Sequence, residues 1–255
     1  MNGGFGPDTL FGGRGNDTFV FGNSTQPSLG DIVNGGQGFA DRILVESTAQ
    51  HDLSRVTISN VENLAFGATG ATAFIFGSQL LGAGEIAQVI GGAGIDRLTV
   101  TGSSVNLQTL VLISWTGGVD ILRLTGTSSS DMQTGSTGGH TFDVAGGSGL
   151  DLVIGGAGND IYIVDQDEVI QEAVGTGTAD RVRVLLSYVL SAGPDIEFLE
   201  TADALEITAI NLTGNAVVQI ITGNAGANRL DGRGGQAERL GRDRYILVQH
   251  RPSGH

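Results

Sequence analysis

The sequence predicts an all-β chain, a right-handed parallel β-roll or β-solenoid whose coils are joined by glycine-rich turns. Three observations carry this. A nine-residue phrase recurs along the chain, glycine supplies 43 of 255 residues, and short alternating apolar segments follow the glycine clusters. A fixed period of this kind marks stacked units that can bury a core only together.

The phrase is G-G-x-G-x-D-x-(apolar)-x. GGFGPDTLF spans Gly3–Phe11, and GGRGNDTFV follows at once from Gly12 to Val20. GGAGIDRLT spans Gly91–Thr99, while GGSGLDLVI and GGAGNDIYI run back to back from Gly146 to Ile163. At this composition, three fixed glycines and one aspartate coincide by chance about 0.1 times along such a chain. Five copies, two pairs of them in tandem, therefore define a repeat.

Weaker copies surround these. GTSSSDMQT keeps Asp131, GSTGGHTFD puts His140 where aspartate belongs, and WTGGVDILR keeps Gly118 and Asp120. GNAVVQIIT and GNAGANRLD place Gln219 and Asn228 in the aspartate position. GQGFADRILV and GTGTADRVRV carry one extra residue before Asp41 and Asp180, and VENL at Val61 and IEFL at Ile196 follow them. The chain accordingly divides into repeats with a closing strand at 1–45, degenerate coils at 46–125, aspartate repeats at 126–165, degenerate amide-type repeats at 166–235, and an arginine-rich tail at 236–255. The tail reads as solvated, with a disrupted reading frame as the alternative.

Each part of the phrase has a physical task. Glycine adopts φ > 0 without steric cost, so three in four residues specify a tight turn whose carbonyls point inward. The aspartate adds a carboxylate at the end of that turn. The last three residues, such as Thr18-Phe19-Val20 or Ile161-Tyr162-Ile163, suit a very short strand. Hard cations such as calcium take six to eight oxygen ligands from carboxylates and carbonyls. Stacked turns offer both. Aspartate is also common in turns for its own backbone bonding, so an isolated match such as Asp96 is equally open to a metal-free reading.

Composition excludes other classes. Cysteine is absent, which removes disulfide scaffolds and Cys-based zinc sites. All 13 basic residues are arginine, so a P-loop lysine is missing. A net charge of -14 argues against a nucleic-acid partner. No apolar run approaches the roughly 18 residues of a transmembrane segment. The hydrophobic share of 40% argues for a buried interior.

The five phrases resemble the repeats-in-toxin (RTX, hemolysin-type) calcium-binding family. The resemblance is specific over residues 3–20 and 126–163. It implies that the first six residues of each repeat form a calcium turn, that consecutive repeats lie on opposite edges, and that an ion sits between a turn and the turn two repeats later. Carried onto this chain, the metal residues are Gly3, Gly4, Gly6 and Asp8, then Gly12, Gly13, Gly15 and Asp17, then Asp131, then Gly146, Gly147, Gly149 and Asp151, then Gly155, Gly156, Gly158 and Asp160. Asp131 would pair with Asp151 and His140 with Asp160, with the inserted Val144-Ala145 interrupting the register. Asp8 and Asp17 would take partners from upstream of Met1 or from a downstream copy. Gln219 and Asn228 offer neutral oxygens only, and a metal-free stretch is expected there.

The resemblance further implies calcium (Ca2+) as the bound ion, folding on calcium binding after export, and type I secretion machinery as a partner. The N-terminus begins the repeat at Gly3 without a basic and apolar leader, as in a piece cut from a longer array. The implied localisation is secreted and extracellular. The alternatives are a calcium-dependent structural or adhesive protein of a surface layer or biofilm matrix, with self-association, and a non-catalytic fragment of a larger RTX enzyme. No HExxH and no G-x-S-x-G occurs. No enzymatic activity is expected, and the histidines His51, His140, His250 and His255 read as solvated. Trp115 and Phe142 read as packing residues. Residues 46–90 read as further coils, with a short helix around Gly77–Val89 as an option.

Overall fold

The apolar triplets behind each turn become strands, and among the described residues every strand pairing of this computed structural model is parallel. The structure describes residues 1–22, 27–67, 70–81, 85–116, 119–145, 149–165, 168–233 and 246–247. It divides into two units, Met1–Thr125 and Gly126–His255. The arginine-rich tail, apart from 246–247, lies outside the described residues.

The first unit contains β1 (Thr9–Arg14), β2 (Thr18–Phe21), β3 (Ile32–Gln37), β4 (Arg42–Val45), β5 (Gln50–Asp52) and β6 (Thr57–Ser59). It continues with β7 (Asn63–Phe66), β8 (Thr72–Phe76), β9 (Gln88–Ile90), β10 (Arg97–Thr101), β11 (Ser104–Asn106), β12 (Val111–Ile113) and β13 (Ile121–Thr125). Strands pair with their equivalents one coil on, in the orders β1-β3-β6, β2-β4-β7-β9-β12 and β5-β8-β10-β13. This is the connectivity of a solenoid. A parallel pair needs a crossover, and here the rest of the coil supplies it.

The second unit contains β14 (Met132–Thr134), β15 (Thr141–Asp143), β16 (Leu152–Ile154), β17 (Ile161–Val164), β18 (Val169–Gln171) and β19 (Arg181–Val184). Then come β20 (Tyr188–Val189), β21 (Phe198–Thr201), β22 (Leu212–Thr213), β23 (Ile220–Thr222), β24 (Leu230–Asp231) and β25 (Ile246–Leu247). Its orders are β15-β17-β19-β21-β23, β14-β16-β18 and β20-β22-β24-β25.

Stacking in register lines up like side chains. In the first unit Phe19, Ile43, Leu64 and Val89 are successive partners and all fully buried. In the second, Phe142, Tyr162, Val182, Leu199 and Ile221 form the matching column. The Phe142 and Tyr162 rings stack at 5.3 Å with 7° between planes. Such columns form the apolar core, at roughly 1.5–3 kcal/mol for each large side chain fully buried. Val144, in the two-residue insertion, is also buried, and its N–H donates to the Ile163 carbonyl, so the insertion is absorbed into the coil.

Among the described residues of Gly77–Val89 no α-helix forms. Gly77–Gln79 make one 3-10 turn, and Gln88–Ile90 join a sheet as β9. Leu80 and Ile86 are buried and bridge in parallel, and Val89 stacks on Leu64. Coil-on-coil stacking overrides local helix propensity there.

Candidate metal centre

The turns are built by glycines with two distinct tasks. In the turn Gly12–Asp17, Gly13 and Gly15 stand at φ +97° and +101°, where a side chain is strained. Gly12 is needed for space instead, since a Cβ there would stand 2.6 Å from Asp17 Oδ2. The same division holds for Gly3 against Gly4 and Gly6, and for Gly155 against Gly156 and Gly158. Gly149 is also at positive φ. Gly146 and Gly147 lie outside the described residues, as does Gly118.

The carboxylates form ladders along the edges of the coils. In rungs of both units an edge residue donates its backbone N–H to a carboxylate oxygen one coil further on. In the first unit Asp8 N donates to Asp31 Oδ1 (2.9 Å), Asp17 N to Asp41 Oδ1 (2.6 Å), and Asp41 N to Glu62 Oε2 (2.9 Å). In the second, Asp131 N donates to Asp151 Oδ1 (2.8 Å), His140 N to Asp160 Oδ1 (2.7 Å), Asp160 N to Asp180 Oδ1 (2.7 Å), and Asp180 N to Glu197 Oε2 (2.7 Å). The structure thus brings Asp131 to Asp151 and His140 to Asp160. Asp8 and Asp17 find their partners downstream, at Asp31 and Asp41. Sequence reasoning did not single out Asp31, Glu62 or Glu197, which sit outside the nine-residue phrase.

One carboxylate oxygen is therefore structural in every rung, and the second oxygen separates two kinds of turn. Ser28 N closes Asp31 Oδ2 (2.8 Å), Gly92 N closes Asp96 Oδ2 (2.6 Å), Thr116 N closes Asp120 Oδ2 (2.6 Å), and Thr127 N closes Asp131 Oδ2 (2.6 Å). In each case the donor lies three or four residues before the aspartate and has ordinary φ. By contrast, Oδ2 of Asp8, Asp17, Asp41, Asp160 and Asp180 is buried without a hydrogen-bond partner. Four residues before Asp8, Asp17 and Asp160 stand Gly4, Gly13 and Gly156, all near φ +100°. In the turns with one extra residue, Gly36 and Gly175 take that role five residues ahead. A positive φ turns the amide away from the carboxylate and leaves the oxygen open.

A buried anionic oxygen with no donor is costly. A hard cation with oxygen ligands removes that cost, and the donor set here contains no sulfur. The open turns fit calcium, with Asp8, Asp17, Asp41, Asp160 and Asp180 as the carboxylates that would hold it. Asp131 is bonded on both oxygens by its own turn, since Thr127 Oγ1 also donates to Oδ1 at 2.8 Å.

Three carboxylates meet at one point. Ligand oxygens of Asp160, Glu172 and Asp180 lie within 4.8 Å of one another, and all three residues are buried. Ile154 pairs with Gln171, so Glu172 stacks on Gly155 and enters the turn where the phrase has its first glycine. The Tyr162 hydroxyl donates to Glu172 Oε2, and Thr176 Oγ1 donates to Oε1 at 2.6 Å. Burial, before any neighbouring charge, pushes the Glu172 carboxyl above its ordinary range and that of Asp180 up to about 7. Burial likewise raises the Tyr162 hydroxyl. Asp180 was visible as a looser copy, but Glu172 carried no motif.

His140 and His51 are buried, contrary to the solvated reading. His140 Nδ1 lies 3.0 Å from Asp160 Oδ1, and its Nε2 meets Ser136 N at 3.2 Å and Ser136 Oγ at 3.0 Å. The imidazole thus closes its own turn at Nε2, as the second oxygen of a closed rung does, and faces Asp160 with its other nitrogen. His51 Nε2 lies 3.1 Å from Ser47 Oγ. His250 and His255 lie outside the described residues.

In the amide copies the side-chain oxygens and the turn carbonyls have hydrogen-bond donors. Gln219 Oε1 accepts from Asn215 N (3.1 Å), and Asn228 Oδ1 accepts from Ile210 N (2.8 Å). Asn215 Nδ2 donates to the carbonyls of Ser191 (3.2 Å) and Pro194 (2.9 Å), and Asn224 Nδ2 to that of Thr208 (2.9 Å). Neutral N–H groups supply to those turn carbonyls the positive partner that acidic turns lack.

The family model described as the RTX calcium-binding nonapeptide repeat (4 copies) matches residues 1–24, 143–167 and 213–236. These spans include the open turns at Asp8, Asp17 and Asp160 and the amide copies at Gln219 and Asn228. No curated protein and no solved structure matches the chain. Among the described residues no helix is long and apolar enough to cross a membrane.

Proposed function

We propose that this chain, which carries RTX calcium-binding nonapeptide repeats on a parallel β-solenoid, is a non-catalytic module of a secreted bacterial protein that completes its folding when calcium fills the open turns after export. The observation that carries the reading is the set of buried, unpartnered carboxylate oxygens at Asp8, Asp17, Asp41, Asp160 and Asp180. Without an ion these oxygens repel one another and oppose stacking. A ligand that binds only the stacked form adds RT ln(1 + [L]/Kd), about 2.7 kcal/mol at a hundredfold excess. Extracellular calcium modules bind at roughly 10⁻⁴–10⁻³ M, so such coils are loose in a low-calcium cytosol and ordered outside it.

A catalytic role finds little support in the Ser136–His140–Asp160 row. Ser136 is buried, and its own N–H donates to the same imidazole nitrogen that a catalytic base would keep free. The row reads as a neutral rung of the ladder. Circular dichroism during a calcium titration to about 10 mM, above those affinities, tests the proposal. A gain of β signal is expected, and an unchanged spectrum with no calorimetric calcium uptake overturns it.

A further inference from the structure

We propose that Asp160, Glu172 and Asp180 form a three-carboxylate cation site distinct from the two-carboxylate stacked turns, held in shape by Tyr162, and that it loads before the others. The inference rests on the calcium reading above and adds a residue that the nine-residue phrase does not supply.

The turn from Gly155 to Asp160 takes six residues, whereas the stacked turn from Glu172 to Asp180 takes nine. The longer turn replaces the first glycine by glutamate. Its carboxylate enters the space left open by Gly155, where a Cβ would collide with the Tyr162 hydroxyl, with Glu172 and with Asp160 Oδ2. Glu172 is fixed there by three donors: the Tyr162 hydroxyl, Thr176 Oγ1 at 2.6 Å and Ala173 N at 3.2 Å. Asp160 Oδ2 and Asp180 Oδ2 are fully buried and have no partner. Among the described residues, neither Glu172 nor Asp180 forms an ion pair with an arginine.

The three ligand atoms lie no farther apart than 4.8 Å. One ion with metal–oxygen bonds of roughly 2.3–2.6 Å bridges oxygens no farther apart than that. Affinity in oxygen sites rises with the number of charged ligands. Three carboxylates behind a stacked Phe142–Tyr162 pair thus favour calcium, and trivalent lanthanides still more. On the other side of Asp160 the ladder meets His140, whose Nδ1 lies 3.0 Å from Asp160 Oδ1. An imidazole there orients Asp160 toward Glu172 instead of continuing a row of anions, as an outer-shell partner does for a metal ligand.

The test uses the full chain titrated with terbium(III) and, separately, with calcium in a calorimeter. Excitation of tyrosine sensitises terbium bound within a few ångströms. The first equivalent of terbium is expected to give tyrosine-sensitised emission in the parent chain. Tyr162→Phe, which removes one of the donors that fix Glu172, is expected to lose that emission and to weaken the tightest uptake step while leaving the weaker steps in place. Glu172→Gln, which keeps the volume and an acceptor for Tyr162, is expected to weaken the tightest uptake step at least tenfold and to leave the weaker steps in place. Unchanged tight uptake in Glu172→Gln, or full sensitised emission in Tyr162→Phe, overturns the three-carboxylate site while the calcium module stands. Absence of any calcium uptake by the parent chain overturns both.

Discussion

Gly92 donates its amide hydrogen to Asp96 Oδ2 at 2.6 Å. Gly156 holds the same place in the same phrase, yet it stands at φ +101° and leaves Asp160 Oδ2 without a partner. One backbone angle thus divides aspartates that close a turn from aspartates whose second oxygen has no donor.

The two kinds respond differently to neutralisation. Asp96→Asn is expected to cost about 1–2 kcal/mol through a weakened charge-assisted hydrogen bond, with calcium stoichiometry unchanged. Asp17→Asn is expected to lower the stoichiometry and leave calcium-free stability level or higher. Calorimetric titration beside thermal melts in chelator separates them, and an equal loss of calcium in both variants would contradict the division.

Gly155 tolerates no side chain. Gly155→Ala is expected to destabilise the second unit by about 1–3 kcal/mol, as overpacking does, and to weaken calcium uptake because Glu172 is pushed out of place. Chemical denaturation with and without calcium reads both effects.

The pH dependence follows from burial. Burial raises the Asp180 carboxyl to about 7 in the folded chain from its ordinary value of 3.8, and raises Glu172 as well. The folded form therefore holds protons that the unfolded form has released. The stability this gives is full below the unfolded value and declines as pH rises through about 7. Calcium-free melting temperatures are expected to fall between about pH 4 and 8. Calcium binds the ionised form, so its stabilising effect is expected to grow over the same range. A calcium-free melting curve that rises with pH would refute this.

The amide turns should stay ordered under chelation. Hydrogen exchange in excess chelator is expected to keep protection around Leu212–Thr213 and Leu230–Asp231 and to lose it around Ile161–Val164. Asn224→Ala removes the donor to the Thr208 carbonyl and is expected to cost about 1–3 kcal/mol, the range for leaving a buried polar group unpaired, irrespective of calcium.

His140 offers a reversal. His140→Asp restores the carboxylate of the phrase beside Asp160 and removes the donor at Nδ1. The calcium-free form is expected to melt lower and the calcium-induced rise in melting temperature to increase. Equal melting temperatures in chelator for the parent and variant would count against the neutral-rung role.

The sequence by itself determined the repeat, the parallel solenoid and the aspartates at the corners of its turns, because a nine-residue period dictates stacking and glycine dictates sharp turns. The resemblance to the RTX repeats further implied the pairing of Asp131 with Asp151 and of His140 with Asp160, which the ladder bonds bring together. Only the tertiary structure decided which corners are open. Gly92 and Gly156 are the same residue in the same motif, yet only Gly156 stands at positive φ, and the coils stacked against them present different atoms, the Gly67 and Ser136 carbonyls respectively. It also decided that Glu172, unmarked by any pattern, reaches Asp160 and Asp180, because that contact runs through the register of Ile154 on Gln171, a spatial neighbour relation that no linear period encodes.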